Sequence, residues 1–279
     1  MMNVDEIRYN ILVTLDRGYL KPLSVMLKSL MLNNLNVLVD VYVLHQTLSI
    51  EDIHSVRIAV DEMRMTLHSI LINDDRLSSF PTSKRFPKEM YFRLFCANYL
   101  PNFLDRVLYL DPDIIIKNSL IELYNLPFDQ FYFMACSHVF KEGQALNGLR
   151  LKIDKETPYF NSGVILMNLN LMRQYVNANQ IIDFIKENKK RLFLPDQDVF
   201  SALYGKYTKK LDSLIYNLSD RYKLLYEFRF RAKTNKIAID WIEKNTVIIH
   251  YCGRNKPWRS NYRGVLNHYY HYYLELLKK

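Results

Sequence analysis

Apolar positions in the first half of the chain follow two periods in turn. Asn10-Ile11-Leu12-Val13-Thr14 is a short apolar run of the length of a buried strand. After Gly18 the spacing changes. Leu23, Met26, Leu27, Leu30 and Met31 recur at i, i+3, i+4, i+7 and i+8, which predicts a helix starting near Pro22, where a proline without an N–H is tolerated. Val37 to Leu44 reads as a second strand, Ile50 to about Met65 as a helix through Ile53, Val56 and Val60, and Leu67 to Ile72 as a third strand. Strand-helix-strand repeats of this kind predict parallel pairing in an α/β sheet.

Further along, Pro87 introduces a helix over about Lys88 to Leu100, and Arg106-Val107-Leu108-Tyr109-Leu110 is a strand that runs into Asp111-Pro112-Asp113. Strands are expected at Phe131 to Cys136, Ser162 to Leu169 and Thr246 to Ile249, with helices at Gln180–Asn188, Asp196–Tyr204 and Gly264–Lys279. The aromatic stretch Leu211–Arg231 has no clear period. No repeat, low-complexity run or linker interrupts residues 1–279, so a single catalytic-size domain ending in a 264–279 helix is the simplest organisation.

Composition narrows this. At 279 residues, 49% hydrophobic and 24% charged, the chain can bury a sizeable core, and disorder is excluded for most of it. Its longest apolar run, Phe131 to Cys136, is far short of a membrane span. The start, Met1 to Glu6, has no basic stretch followed by an apolar one, so no secretory signal is expected. Cys96, Cys136 and Cys252 are odd in number and widely spaced, which speaks against a disulfide framework or a thiolate zinc site and for a cytoplasmic location. The net charge of +9 favours anionic partners. Nucleic acid has nothing but that charge behind it, since no recognisable binding signature is present.

Five segments could carry chemistry. Two carboxylates one residue apart, Asp111 and Asp113, follow a buried strand, where open α/β sheets bind ligands, and Pro112 stiffens them. An Asp-Pro turn would look the same. His250 also follows an apolar strand and is trailed by Gly253 and Lys256, a histidine, a flexible turn and a positive charge of the kind a phosphate or metal site uses, or an exposed basic loop. Asn161 stands beside Ser162-Gly163 at a strand entrance, as a sugar ligand or a turn residue. Asp196 and Gln197 open a helix, as cleft residues or as a cap. Thr14, Asp16 and Tyr19 close the first strand, where a carboxylate could accept a pyrimidine N–H and a ring could stack.

In this order the five segments resemble the family-eight retaining glycosyltransferases, the group of glycogenin and the bacterial lipopolysaccharide galactosyltransferases. The resemblance runs from about Ile11 to Trp258 and is most specific in His250-x-x-Gly253-x-x-Lys256-Pro257-Trp258. It implies a GT-A fold, a Rossmann-like, mixed but mainly parallel sheet flanked by helices. It also implies a hexosyltransferase drawing on UDP-glucose or UDP-galactose, with a glycan, glycolipid or glycoprotein as acceptor. On that resemblance Asp111, Asp113 and His250 would bind Mn²⁺, with Mg²⁺ as the alternative. Lys256 and Gly253 would meet the diphosphate, and Thr14, Asp16 and Tyr19 the uridine. Arg93 in Tyr91-Phe92-Arg93-Leu94 and Asn161 would touch the donor, and Asp196 and Gln197 would be catalytic, near the reacting sugar carbon. Gly18 departs from the family, which often carries a side chain there. A relative that binds nucleotide sugar or glycan without turnover is the alternative function.

The C-terminal stretch holds one further expectation. His268 to Tyr273 is rich in tyrosine and leads into Lys278-Lys279. Tyr269, Tyr273, Leu276 and Leu277 have the spacing of a helix packed on the domain. Peripheral contact with an anionic membrane is the second expectation for the same residues.

Overall fold

The computed structural model describes residues 7–60, 63–83, 86–230 and 236–278; Met1 to Glu6, Arg231 and Lys279, which figure above, lie outside them. Among the described residues there are nine strands: β1 (Ile7–Thr14), β2 (Val37–His45), β3 (Met65–Leu71), β4 (Arg106–Leu110), β5 (Ile114–Ile116), β6 (Phe133–Cys136), β7 (Val164–Asn168), β8 (Thr208–Leu211) and β9 (Ile248–His250). The α-helices are α1 (Leu20–Asn33), α2 (Ile50–Ala59), α3 (Phe92–Phe95), α4 (Ile121–Tyr124), α5 (Lys141–Leu151), α6 (Leu169–Tyr175), α7 (Ala178–Asn188), α8 (Pro195–Tyr204), α9 (Ser213–Tyr216), α10 (Asp220–Arg229), α11 (Ile239–Asn245) and α12 (Asn267–Leu276).

Seven strands form one sheet in the order β3-β2-β1-β4-β7-β6-β8. Pairing is parallel from β3 through β4 and between β6 and β8; β7 runs antiparallel to both of its neighbours. This is the expected α/β, mainly parallel sheet. β5 and β9 make a separate antiparallel pair. Apolar side chains fill both faces of the sheet. Val13, Leu27, Val41 and Leu110 belong to the core on one side, and Leu12, Tyr91, Tyr109 and Phe200 to the core on the other. A third cluster, built on Ile115, Ile249, Tyr251, Tyr269 and Tyr270, seats α12.

Several expected boundaries move. The helix from Ile50 stops at Ala59, and Met65, expected near its end, begins β3. Ser49 and Asp52 form a reciprocal capping box that fixes its start. Lys88 to Leu100 is not one helix. It alternates 3₁₀ turns with the single turn α3, so Met90 and Arg93 face different neighbours than a regular helix would give them. Leu211–Arg231 resolves into the end of β8, then α9 and α10. The short strands β5 and β8 and helices α5 and α11 were not anticipated.

Candidate active site at the carboxyl ends of the strands

Strand pairing assembles the site. In the β4–β7 ladder Leu110 faces Val164, so Asp111, just past the end of β4, lies against Gly163, whose carbonyl accepts the Asp111 N–H at 2.8 Å. In the β5–β9 ladder Ile114 faces His250, which brings Asp113 alongside the imidazole. The Tyr251 N–H donates to the Asp113 carbonyl at 3.0 Å and secures that register. His250 in turn donates its backbone N–H to Leu218 at 2.7 Å, which places Asn217 against the ring. Gly163 is required by crowding rather than by backbone angle. A Cβ there would stand 2.2 Å from His250 Cε1 and 2.6 Å from Asp111 Oδ2.

The three ligand-type side chains are locked from behind. Asp111 Oδ1 accepts from the Tyr109 hydroxyl at 2.6 Å and lies 3.0 Å from the Arg93 guanidinium. Asp113 Oδ2 is taken by the Lys256 ammonium, which also donates to the Tyr251 carbonyl at 3.0 Å. His250 Nδ1 donates to Asn217 Oδ1 at 2.9 Å. This leaves Asp111 Oδ2, Asp113 Oδ1 and His250 Nε2 facing one another, with Nε2 at 3.5 and 3.3 Å from the two oxygens. One ligand atom from each residue lies within 4.8 Å of the others. With Nδ1 carrying the ring proton, three lone pairs converge on one point, and only a cation or an extra proton relieves that repulsion. Mixed carboxylate and imidazole donors suit a divalent first-row metal. Burial opposes charge on both groups here. Even so, Lys256 and His250 hold the Asp113 carboxyl well below the usual carboxylate range, and Asp113 raises the imidazole pKa.

A second carboxylate group adjoins the first. Arg93 is buried and lies 3.3 Å from Asp196 Oδ2; it donates to the Ser162 carbonyl at 2.7 Å and stacks 4.3 Å over the Tyr109 ring. Ser162 donates its hydroxyl to Asp196 Oδ2 at 2.8 Å. Burial raises the Asp196 pKa, and Arg93 opposes the rise. Asp196 does not cap α8, as a Pro-Asp start suggested. The N-cap is Leu194, with no side-chain bond, and Asp196 points into the cleft. Asn161 is not simply a turn residue either: its Nδ2 donates to Gln197 Oε1 at 3.3 Å, while its Oδ1 accepts from Asn217 and from the Gly163 N–H, both at 3.0 Å.

At the other end of the cleft Asp16 accepts the Gly18 N–H at 2.8 Å, and the Thr14 hydroxyl is turned inward to Tyr109, at 3.2 Å. Tyr19 meets Trp258 edge-on at 5.8 Å, and Lys256 Nζ stands 5.9 Å from each ring. Gly253 has φ +104°, which glycine adopts without strain. All twelve residues singled out from the sequence line one cavity of about 630 Å³. Residues that the sequence did not flag hold it in shape. Asn217 and Ser162 are two of them, and buried Asp198 is a third, binding Arg150 through both oxygens while accepting from Tyr159 at 2.6 Å. Asn217 and Asp198 could not have been found by motif, because one lies in the unassigned aromatic stretch and the other repeats a helix-start acid.

The sequence matches the Glycosyl transferase family 8 over residues 10–262. The chain belongs to this family. Among curated proteins it is 28% identical to a lipopolysaccharide 1,3-galactosyltransferase of Salmonella typhimurium, covering 92% of this chain and 74% of that one. It is 26% identical to a lipopolysaccharide 1,2-glucosyltransferase of Escherichia coli K12, covering 90% and 73%. Among solved structures, the galactosyltransferase LgtC in complex with donor and acceptor sugar analogues superposes with a TM-score of 0.82 at 22% identity, over 97% of this chain and 96% of that one. The fold is therefore GT-A, and the protein is a glycosyltransferase.

Proposed function

We propose that the protein is a retaining, Mn²⁺-dependent hexosyltransferase that moves glucose or galactose from its UDP ester to a saccharide acceptor, with a lipid-linked saccharide favoured over a glycoprotein. The observation that carries this reading is the convergence of Asp111 Oδ2, Asp113 Oδ1 and His250 Nε2 in the same cavity as Lys256, Asp196 and Gln197. The acceptor class rests on the lipopolysaccharide glycosyltransferases among the relatives.

Asp111, Asp113 and His250 would hold the metal, Mn²⁺ ahead of Mg²⁺ because of the imidazole. When bound, it supplies positive charge to the diphosphate as the glycosidic bond breaks. Lys256 and the Gly253 backbone bind the departing UDP, and Asp16, Tyr19 and Thr14 form the nucleoside end. Arg93 acts as a positioning residue, since its guanidinium is spent on Asp111, Asp196 and Ser162. Asp196, Asn161 and Gln197 face the sugar. Gln197 is an uncharged amide already bonded to Asn161, a poor nucleophile, which favours attack by the acceptor on the face that UDP leaves. In that step the acceptor oxygen bonds to the sugar carbon as the carbon–oxygen bond to UDP breaks. The hydroxyl proton passes to the departing diphosphate.

Calorimetry of UDP binding with Mn²⁺ and with EDTA tests the reading. Removal of the metal should weaken UDP at least about tenfold, roughly 1.4 kcal/mol. Equal affinity in EDTA would remove the metal site from the proposal. UDP release from UDP-glucose and UDP-galactose then decides the donor.

A further inference from the structure

The 3₁₀ turn Lys88–Tyr91 places in the cleft wall a carboxyl that the proposed chemistry leaves unused. Glu89 lines the cleft and is only 7% exposed. Among the described residues no lysine or arginine lies within ion-pair distance of it, and no other side chain donates to it. Only its own backbone N–H, and the charge of Lys88 beyond ion-pair distance, favour the anion. Arg93, one turn further along, is directed to Asp111, Asp196 and the Ser162 carbonyl instead. Burial raises the Glu89 pKa, and the negative charge of Asp16 adds to the rise. Buried polar groups in folded proteins are almost always paired, so an unpaired one that faces a ligand cleft asks for its partner there.

Asp16 indicates which atoms that partner offers. It lines the same cleft, and the Glu89 carboxyl feels its charge. Asp16 Oδ1 accepts the Gly18 N–H at 2.8 Å, which commits this carboxylate as an acceptor. Two ionised carboxylates side by side repel each other. A neutral Glu89 beside an ionised Asp16 presents instead an O–H donor next to an acceptor. One pyrimidine has the complementary edge. Uracil places its N3–H donor beside the O4 acceptor. Cytosine reverses the order, with a bare N3 beside an amino group at C4.

We propose that Glu89 is the base-reading residue of this cleft. Its carboxylic O–H donates to O4 of a uracil whose N3–H is accepted by Asp16, so that uridine nucleotides bind ahead of cytidine nucleotides. The assignment rests on the reading of Asp16 as part of the nucleoside end. It also accounts for an acid at this place. A glutamine could turn its amide to suit either base, and an ionised carboxylate would repel O4.

The test is calorimetry of the full chain with Mn²⁺ and four ligands: UDP, CDP, 2′-deoxy-UDP and 4-thio-UDP. The last keeps N3–H but carries sulfur, a weak acceptor, in place of O4. The wild type should bind UDP at least about tenfold more tightly than CDP and at least about threefold more tightly than 4-thio-UDP. Glu89→Ala should weaken UDP about three- to tenfold and bind UDP and 4-thio-UDP alike. Glu89→Gln, whose amide can donate to O4, should restore UDP to within about threefold of wild type and narrow the preference over CDP. Neither variant should melt at a lower temperature than the wild type, since the carboxyl removed has no partner in the chain. Three results would each overturn the inference: wild-type UDP affinity in Glu89→Ala, an undiminished preference for UDP over 4-thio-UDP in that variant, or a 2′-deoxy penalty that vanishes with Glu89. The third would place the carboxyl on the ribose. Asp16→Ala separates the inference from the reading beneath it. If that variant binds UDP as tightly as the wild type, the nucleoside lies elsewhere and both fall. Loss with Asp16→Ala and none with Glu89→Ala removes Glu89 alone.

Discussion

Each donor atom at the three-residue cluster is defined by a neighbour that occupies the other side of the same group. Tyr109 and Arg93 hold one oxygen of Asp111, Lys256 holds one of Asp113, and Asn217 fixes the tautomer of His250. On the proposed reading Lys256 therefore has two tasks, orienting Asp113 and offering charge to a diphosphate, whereas Asp196 and Gln197 reach that cluster through Arg93 and Asn161. Different losses follow. Lys256→Ala should weaken UDP itself by about tenfold or more, the scale of losing a charge-assisted contact. Asp196→Ala and Gln197→Ala should leave UDP affinity within about threefold and cut transfer by about a hundredfold or more, as losing a group that acts at the reacting centre does. UDP titration and initial rates on the three variants separate these outcomes. Equal loss of UDP affinity in all three, with turnover per bound donor intact, would refute the assignment. Most of the twelve residues of this cleft were legible because they stand just past a strand or at the start of a helix in a recognisable run, whereas Arg93, inside α3, came only from the family resemblance. Asn217 was not, because its value comes from a parallel bridge at Leu218 to Ile249, which no local pattern announces.

Among the elements, those read correctly include β1, β2, α1, β4, β7, α7 and α8, whose apolar period survives in the fold. The misread ones had their period set by something else. Lys88 to Leu100 has helical spacing, but Arg93 must reach both Asp111 and Asp196, and the segment is broken into short turns around it. β5 is three isoleucines long, too short to stand out beside the two aspartates before it. α10 hid in the aromatic stretch because its rings pack sideways on loop residues: Tyr222 stacks on His138 at 4.9 Å. His138 itself titrates unusually. Burial pushes the imidazole down to about 4, with Arg221 adding to the effect and the Asn217 carbonyl, 2.7 Å from Nε2, opposing it. Above about pH 6.5 the ring is neutral folded and unfolded, and its place in the fold costs nothing. Between about 6.5 and 4 the unfolded chain takes up a proton that the folded one refuses, so stability falls as pH falls. Below about 4 the loss is complete. It should amount to about 1–3 kcal/mol. His138→Gln keeps a donor for the Asn217 carbonyl and removes the titration. Urea unfolding at pH 7 and pH 4.5 should show the wild type losing more stability than the variant over that interval, and parallel losses would show that His138 is not the cause.

At the scale of the whole molecule, the end of the cleft proposed for the nucleotide is propped from the far end of the chain. Tyr19 meets Trp258, Trp258 meets Tyr270 of α12 at 5.5 Å, and Tyr270 meets Tyr251, the neighbour of His250, at 5.9 Å. Two hydrogen bonds tie the same region down: Tyr251 donates to the Leu266 carbonyl at 2.8 Å, and Asn33 of α1 donates to the Tyr273 hydroxyl at 2.7 Å. The tyrosine spacing that predicted a packed C-terminal helix is explained by these contacts. Truncation after Gly264 removes Leu266 and three buried tyrosines at once. Each large buried aromatic costs about 3–5 kcal/mol when cut away, so the combined loss is comparable with the roughly 5–15 kcal/mol that holds a domain folded. The truncated chain should lack a cooperative thermal transition. A single change is more informative. Tyr270→Ala should lower stability by about 3–5 kcal/mol and also weaken UDP, because Trp258 and then Tyr19 lose their support. Tyr272→Ala, on the exposed side of the same helix at 61% exposure, should change neither. Denaturant midpoints and UDP titration of the two variants check this. A Tyr270→Ala protein that is destabilised yet binds UDP with wild-type affinity would show that α12 supports the fold and not the site.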